Sequence, residues 1–504
     1  MSAVPKTAER LGPALLDRLP AAVARPAYDR AALAAGIAHI GVGAFHRTHQ
    51  AEFVDDLLAD RLDRFGIVGI NIRPPALADT LGAQGGLYTR LMREDDRVTA
   101  RVIGSIVRVV DAQASAEPAL AVLADPAIDL VTLTVTEKGY CHTPANGALD
   151  ESRPEIAHDL AHPEAPQSLP GLILAALERR RKAHGAPVTV MSCDNIPSNG
   201  AILGRVVAAL AERRGDGLAG WIAGNVAFPS TMVDRIAPAT GAADLAYVEQ
   251  VLGYRDEAVV VGEPFRQWVI EDRFAARRPD FGRVGAQFVD DVGAFEHLKM
   301  RVLNGAQTTL CYLGVLAGLE HTFDDMADPL LAGFVRRMLA EETLPTLEPV
   351  PGIVPEAYLE QSLARLRNTA IRHRNHQIAT DGSQKIVQRI LNPIRDRRRA
   401  GAAIDLLCVP VAAWMAYLVR ASARFGRAWT VDDPYADRIA AIADAIGDDA
   451  AALTAAIVAI GAIFPAELAA DATFRAGVAA RLAGFLAPDP LADLARLCGA
   501  GPPG

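Results

Sequence analysis

Lys299, Asn304 and Gln307 stand within one otherwise apolar stretch, Lys299-Met-Arg-Val-Leu-Asn-Gly-Ala-Gln307, which runs on as Thr-Thr-Leu-Cys-Tyr-Leu-Gly-Val-Leu-Ala-Gly318. A lysine whose ammonium is partly desolvated loses proton affinity and becomes a general base near neutral pH. An amide beside it can donate to a developing alkoxide. Leu298, Val302, Leu303, Ala306, Leu310, Leu313 and Leu316 recur mostly at three- and four-residue steps, which predicts one packed helix from Phe295 to Ala317. At about 100° per residue, Asn304 and Gln307 share a face, with Lys299 roughly 140° from Asn304. The three can serve one site only if the helix begins near Lys299 or the cavity wraps round it. The same residues also describe an ordinary helix with a snorkelling lysine and two amides.

The elements that must position this stretch come from the rest of the chain. At 504 residues, 51% hydrophobic and 22% charged, the chain is long enough for two or three globular domains. Its net charge of -9 argues against general nucleic-acid binding. Cys141, Cys193, Cys311, Cys408 and Cys498 are scattered without paired spacing, which fits a reducing cytoplasm and offers no zinc site. No apolar run reaches the roughly 18 residues of a membrane span.

Residues 1–35 are Leu- and Ala-rich and read as helical. A short apolar strand then enters Gly41-Val-Gly43-Ala44-Phe45 and a helical pattern from Ala51 to Leu58. In that context a glycine turn lets the backbone approach a pyrophosphate at a helix N-terminus, although His46 stands where the third glycine of the fingerprint belongs. Phe65 to Arg73 reads as the next strand. Its end carries Asn71 and Arg73 in place of the acidic residue that accepts from an adenosine ribose, so NAD and NADP both remain open. Tyr88 to Met92 and Val98 to Val109 read as strands. Ile128 to Val135 reads as a strand buried on both faces and ends in Thr136, Glu137 and Lys138, where ligands of open α/β sheets sit. Residues 145–170 read as a loop. Ala186 to Cys193 is a strand that runs into Asp194-Asn195-Ile-Pro-Ser-Asn199-Gly200, and Trp221 to Ala227 is strand-like.

Strands and helices alternate to about residue 287, and helical patterns dominate from 288 onward. This defines an α/β class: a Rossmann-like, doubly wound N-terminal domain over 1–287 and a mainly α-helical domain over 288–504. Within the helical part, residues 372–389 are dense in polar and basic groups, including Arg374, Gln377 and Lys385. That segment reads either as an exposed loop capped by Asp381 or Ser383, or as the wall of an anion- or polyol-binding cleft.

Six stretches in order carry a resemblance: His39 to Gln50, Thr134 to Tyr140, Cys193 to Gly200, Phe228 to Arg235, the Lys299 segment, and Asp381 to Lys385. Together they resemble the long-chain mannitol dehydrogenase family, polyol-specific dehydrogenases that also include fructuronate and tagaturonate reductases. The resemblance implies metal-free hydride transfer to or from NAD(P) and a small sugar-acid or polyol substrate, in a monomer or small homo-oligomer. It implies that Lys299 takes the substrate's hydroxyl proton, that Asn195 and Asn304 hold the reacting oxygen, and that Asp234 binds substrate. It further implies that Glu296 gates proton exchange and that Glu137 assists.

Two departures stand out. Gln307 occupies the place of a family histidine; it can hydrogen-bond a substrate hydroxyl but cannot take a proton. A non-catalytic, cofactor-binding relative is therefore a second expectation. Gln377 stands where mannitol dehydrogenases proper carry arginine, and the segment through Asp381-Gly-Ser-Gln-Lys385 looks more like the fructuronate reductase (mannonate oxidoreductase) branch. A hexuronate needs a cation for its carboxylate, and Arg372, Arg374, Lys385 and Arg389 are the candidates. A mannitol/fructose-type activity is the alternative.

Overall fold

The computed structural model describes residues 8–72, 76–143 and 147–499. The chain divides into two compact units, residues 1–293 and 294–504. The boundary expected at 287/288 falls at the start of the strand Gln287–Val289, whose ladder with Gln267–Glu271 keeps it in the first unit.

Six strands of the first unit form a parallel sheet: β1 (Ala35–Ile40), β2 (Gly66–Asn71), β3 (Ile106–Asp111), β4 (Leu130–Leu133), β5 (Val188–Ser192) and β6 (Val226–Ala227). Their order is 3-2-1-4-5-6, that of a dinucleotide-binding sheet. β1, β2, β4 and β5 are buried on both faces, successive side chains pointing to opposite sides. Ala38, Ile40, Val68, Ile70, Val131 and Val190 enter one core with Leu172, Leu203 and Val207. Ile37, Ile67, Leu130 and Met191 enter another with Phe53 and Trp268.

Several elements differ from the sequence expectation. Residues 98–109 are not one strand. The chain breaks at Gly104-Ser105, so that Arg97–Ile103 pairs antiparallel with Tyr88–Glu94 in a separate sheet while β3 joins the parallel one. Trp221 lies in a helix, Leu218–Asn225, and only Val226–Ala227 is strand. The expected loop at 145–170 contains the helix Pro154–Ala161, started by its proline. The described part of residues 1–35 holds short 3-10 turns at Pro13–Arg18 and Arg30–Ala32, not an α-helix; local helical composition yields there to prolines at 13, 20 and 26.

The turn after β1 leads into α1 (Ala44–Thr48) and α2 (Gln50–Asp60). His39, fully buried, accepts from Thr132 Oγ1 at Nδ1 (2.7 Å) and donates from Nε2 to the Gly41 carbonyl (3.1 Å). Its ring stacks on His46, centroids 3.4 Å apart. Burial holds the His39 and His49 imidazoles down to about 3 and His46 well below its usual value. The folded state thus leaves His39 neutral where the unfolded chain binds a proton, so this contribution to stability is lost as pH falls below about 6.5. The destabilisation of His39→Gln, read from urea unfolding, should therefore shrink by about 2 kcal/mol between pH 7 and pH 5. An unchanged difference would show that His39 titrates normally in the fold.

The second unit is built round a helix pair, α3 (Gly293–Arg301) and α4 (Leu303–Leu316). Every residue of α4 is buried, as expected for a helix enclosed by others. Around it lie α5 (Asn375–Ala379), α6 (Gly382–Ile386) and α7 (Cys408–Arg420). Gly382 is required by this packing, since a Cβ there would lie 2.1 Å from the Tyr312 hydroxyl.

Candidate active site

The single helix expected from Phe295 to Ala317 is broken at Val302, where φ is −87° and ψ −70°. The break falls between Lys299 and Asn304. Lys299, Asn304, Gln307 and Glu296 are exposed by 7, 5, 9 and 9%. Asn304 Nδ2 donates to Met300 Sδ at 3.3 Å. Lys299 is thus largely enclosed by protein rather than water.

Residues 372–389 do not form one wall. Arg374 lies on the surface against Glu320, 3.3 Å away, and Arg372 and Gln377 are exposed. The segment turns inward after Asp381, which starts α6 in a left-handed conformation without side-chain capping. Asp433, remote in sequence, accepts the Ser383 N–H instead (2.7 Å). Lys385 and Arg389 are the inward-turning cations. Lys385 Nζ donates to the carbonyls of Ile378 and Thr380 at the end of α5. Arg389 is 8% exposed, and its Nη1 donates to Thr308 Oγ1 on α4, one residue beyond Gln307 (3.0 Å). Among the described residues Arg389 has no carboxylate partner; burial pulls its proton affinity down. Burial also lowers that of Lys385, with Arg389 adding to the effect and Asp381 and Asp433 opposing it at longer range.

In the first unit most of the expected residues lie at the carboxyl ends of the parallel strands, and Asp234 ends a strand of a separate sheet. Gly41 has φ +93°, and a Cβ there would lie 2.1 Å from the Thr134 carbonyl oxygen, so only glycine fits. Gly43 caps α1 with its outer side open: a Cβ would meet only Gly41 O, at 3.9 Å. Ala44 and Phe45 form the first turn of α1, where helix N–H groups lack intrahelical acceptors. This bare turn fits a dinucleotide phosphate. Asn71, at the end of β2, donates to Asp111 Oδ1 at the end of β3 (2.8 Å). The sequence hides Asp111, because the run from Val98 to Val109 stays largely hydrophobic across the break before β3. Arg73 lies outside the described residues. Thr136 and Lys138 are exposed and Glu137 half-buried, in a single 3-10 turn after β4. Asn195 is exposed in the turn after β5, and Asp234 is buried at the end of Thr231–Asp234.

Among the described residues, no cluster of three or more His, Cys, Asp or Glu is arranged to hold a metal ion, and no helix is long and apolar enough to cross a membrane. The strand order and the glycine turn define a dinucleotide-binding oxidoreductase fold. The chain belongs to the mannitol dehydrogenase family: residues 35–282 match the family's Rossmann domain and residues 291–485 its C-terminal domain. It is 42% identical to the D-mannonate oxidoreductase of Escherichia coli strain K12, over 78% of this chain and 82% of that one. It is 41% identical to the mannitol 2-dehydrogenase of Cereibacter sphaeroides, over 78% and 83%. The Pseudomonas fluorescens mannitol 2-dehydrogenase, solved in a ternary complex with NAD and D-mannitol, is 36% identical, with a TM-score of 0.89 over 98% of this chain and 100% of that one.

Proposed function

We propose that this protein is a metal-independent, NAD-dependent oxidoreductase that interconverts a keto-sugar acid and its aldonate, of the D-fructuronate and D-mannonate type. The observation that carries the acid over a neutral polyol is Arg389. Its buried guanidinium is bonded to the helix that bears Asn304 and Gln307, and among the described residues it has no carboxylate partner. A buried charge without a counter-ion is costly, and a substrate carboxylate would complete it.

NAD supplies the hydride acceptor or donor. Gly41, Gly43, Ala44 and Phe45 hold its phosphates, Asn71 with Asp111 its ribose, and the turn Thr136 to Lys138 the end nearer the chemistry. The Asp111 carboxylate supports NAD over NADP, since it would accept from a ribose hydroxyl and repel a phosphate. Lys299 takes the substrate's hydroxyl proton in oxidation and returns it in reduction, with Glu296 on the exchange route to solvent. Asn195 and Asn304 donate to the reacting oxygen; Asp234, Gln307, Lys385 and Arg389 hold the remaining substrate groups.

The test is to follow the near-ultraviolet absorbance of NADH and NADPH with fructuronate, tagaturonate and fructose. NADH oxidation by fructuronate is the expected result. Faster turnover of fructose would replace the acid by a polyol, and silence with all three would sink the reading. Gln307 favours a second reading, a cofactor-binding protein that lost its chemistry with the histidine. Gln307→His separates the two: the catalytic reading expects no gain in turnover, whereas a large gain would mark a degraded site.

A further inference from the structure

We infer that Asp194 is a positioning residue that fixes the turn bearing Asn195 by tying the carboxyl end of β4 to that of β5. This rests on the reading of Asn195 as a donor to the reacting oxygen. Asp194 Oδ1 accepts the backbone N–H of Val135 (2.8 Å), just before the turn Thr136 to Lys138, and its Oδ2 accepts the Tyr140 hydroxyl (2.6 Å). Tyr140 is fully buried; its oxygen in turn meets the hydroxyl of Ser192, whose Oγ accepts the Asp194 N–H (3.3 Å). The Asp194 carbonyl accepts from Asn199 Nδ2 (2.8 Å). That same amide nitrogen reaches Thr231 O (2.8 Å), and Asn199 Oδ1 accepts the Thr231 N–H (2.9 Å), at the start of the strand that ends in Asp234. One circuit of largely buried polar groups thus sets three strand ends, and Asp194 is the member joined to both turns. Asn195, exposed on its own turn, has its chain direction set by the residue before it.

The circuit needs an acceptor for Val135 and a partner for Tyr140, not a charge. Asparagine provides both: its carbonyl accepts the Val135 N–H, and its NH2 donates to the Tyr140 oxygen while the phenol turns to Ser192. The test measures kcat and KM with the proposed sugar acid, and NADH affinity by fluorescence titration. Asp194→Ala should lower kcat about 10- to 100-fold, as for a donor displaced by an ångström, with NADH affinity held within about threefold. Asp194→Asn should restore kcat to within about threefold of the parent. Tyr140→Phe, which removes only the hydroxyl that meets Asp194 and Ser192, keeps the test available if Asp194→Ala does not fold, and should lower kcat about threefold or more. Asn195→Ala is the reference. If it is slow while Asp194→Ala and Tyr140→Phe retain full turnover, the positioning role fails and the Asn195 reading stands. If Asp194→Asn is as slow as Asp194→Ala, the negative charge is what matters and the proposal is overturned. If Asn195→Ala itself is fully active, the reading beneath the proposal fails and takes the proposal with it.

Discussion

Lys299→Ala is expected to lower turnover by about 10²-fold or more while leaving NADH affinity within a few-fold of the parent. The lysine is 7% exposed at the end of α3, in the unit that does not contain the glycine turn. On the proposed role, loss of its amine would remove the proton acceptor for alcohol oxidation and the donor for carbonyl reduction, while leaving the backbone of the glycine turn in place. Measured side by side, steady-state turnover and NADH titration separate these contributions. A parallel collapse of cofactor binding would make Lys299 a structural cation and misplace the site. Turnover within tenfold of the parent would remove it as the acid-base group.

Arg389→Met carries the second large effect. Charge-assisted bonds to a carboxylate contribute about 2–3 kcal/mol, so kcat/KM for the sugar acid should fall roughly 30- to 150-fold, chiefly through KM. Stability should behave in the opposite sense from an ordinary core deletion. Because Arg389 is buried with no carboxylate partner among the described residues, an apolar side chain of similar length should leave the melting temperature unchanged or raise it. A fall in melting temperature with KM for the acid unmoved would assign Arg389 to packing and return the substrate question to the neutral polyols.

The layout of the fold was legible because its signals are local. Continuous β-branched runs mark strands buried on both faces, and Gly41-Val-Gly43 between strand and helix marks the dinucleotide turn. What was not legible depended on contacts distant in sequence. The break at Gly104-Ser105 interrupts a run that stays hydrophobic on both sides, so β3 and its terminal Asp111 were hidden. Arg374 and Arg389 look alike as letters; a surface ion pair with Glu320 and a burial against Thr308 set them apart. Asp194 and Tyr140 each sit in a recognisable motif, but only the pairing of β4 with β5 brings the two motifs into one circuit.

The bend at Val302 has a consequence for how such a chain can change length. Hydrogen bonds are kept on both sides of it, Val302 N–H to Leu298 and Ala306 N–H to Val302, each 2.9 Å, so the backbone ladder continues through the bend. Adding or removing one residue between Lys299 and Asn304 would turn one half against the other by about 100°. The relative direction of Lys299 and Asn304 would then change although both side chains were still present. An apolar substitution in this interval keeps that relative direction, whereas an insertion or deletion does not: the count of residues is itself part of the proposed chemistry.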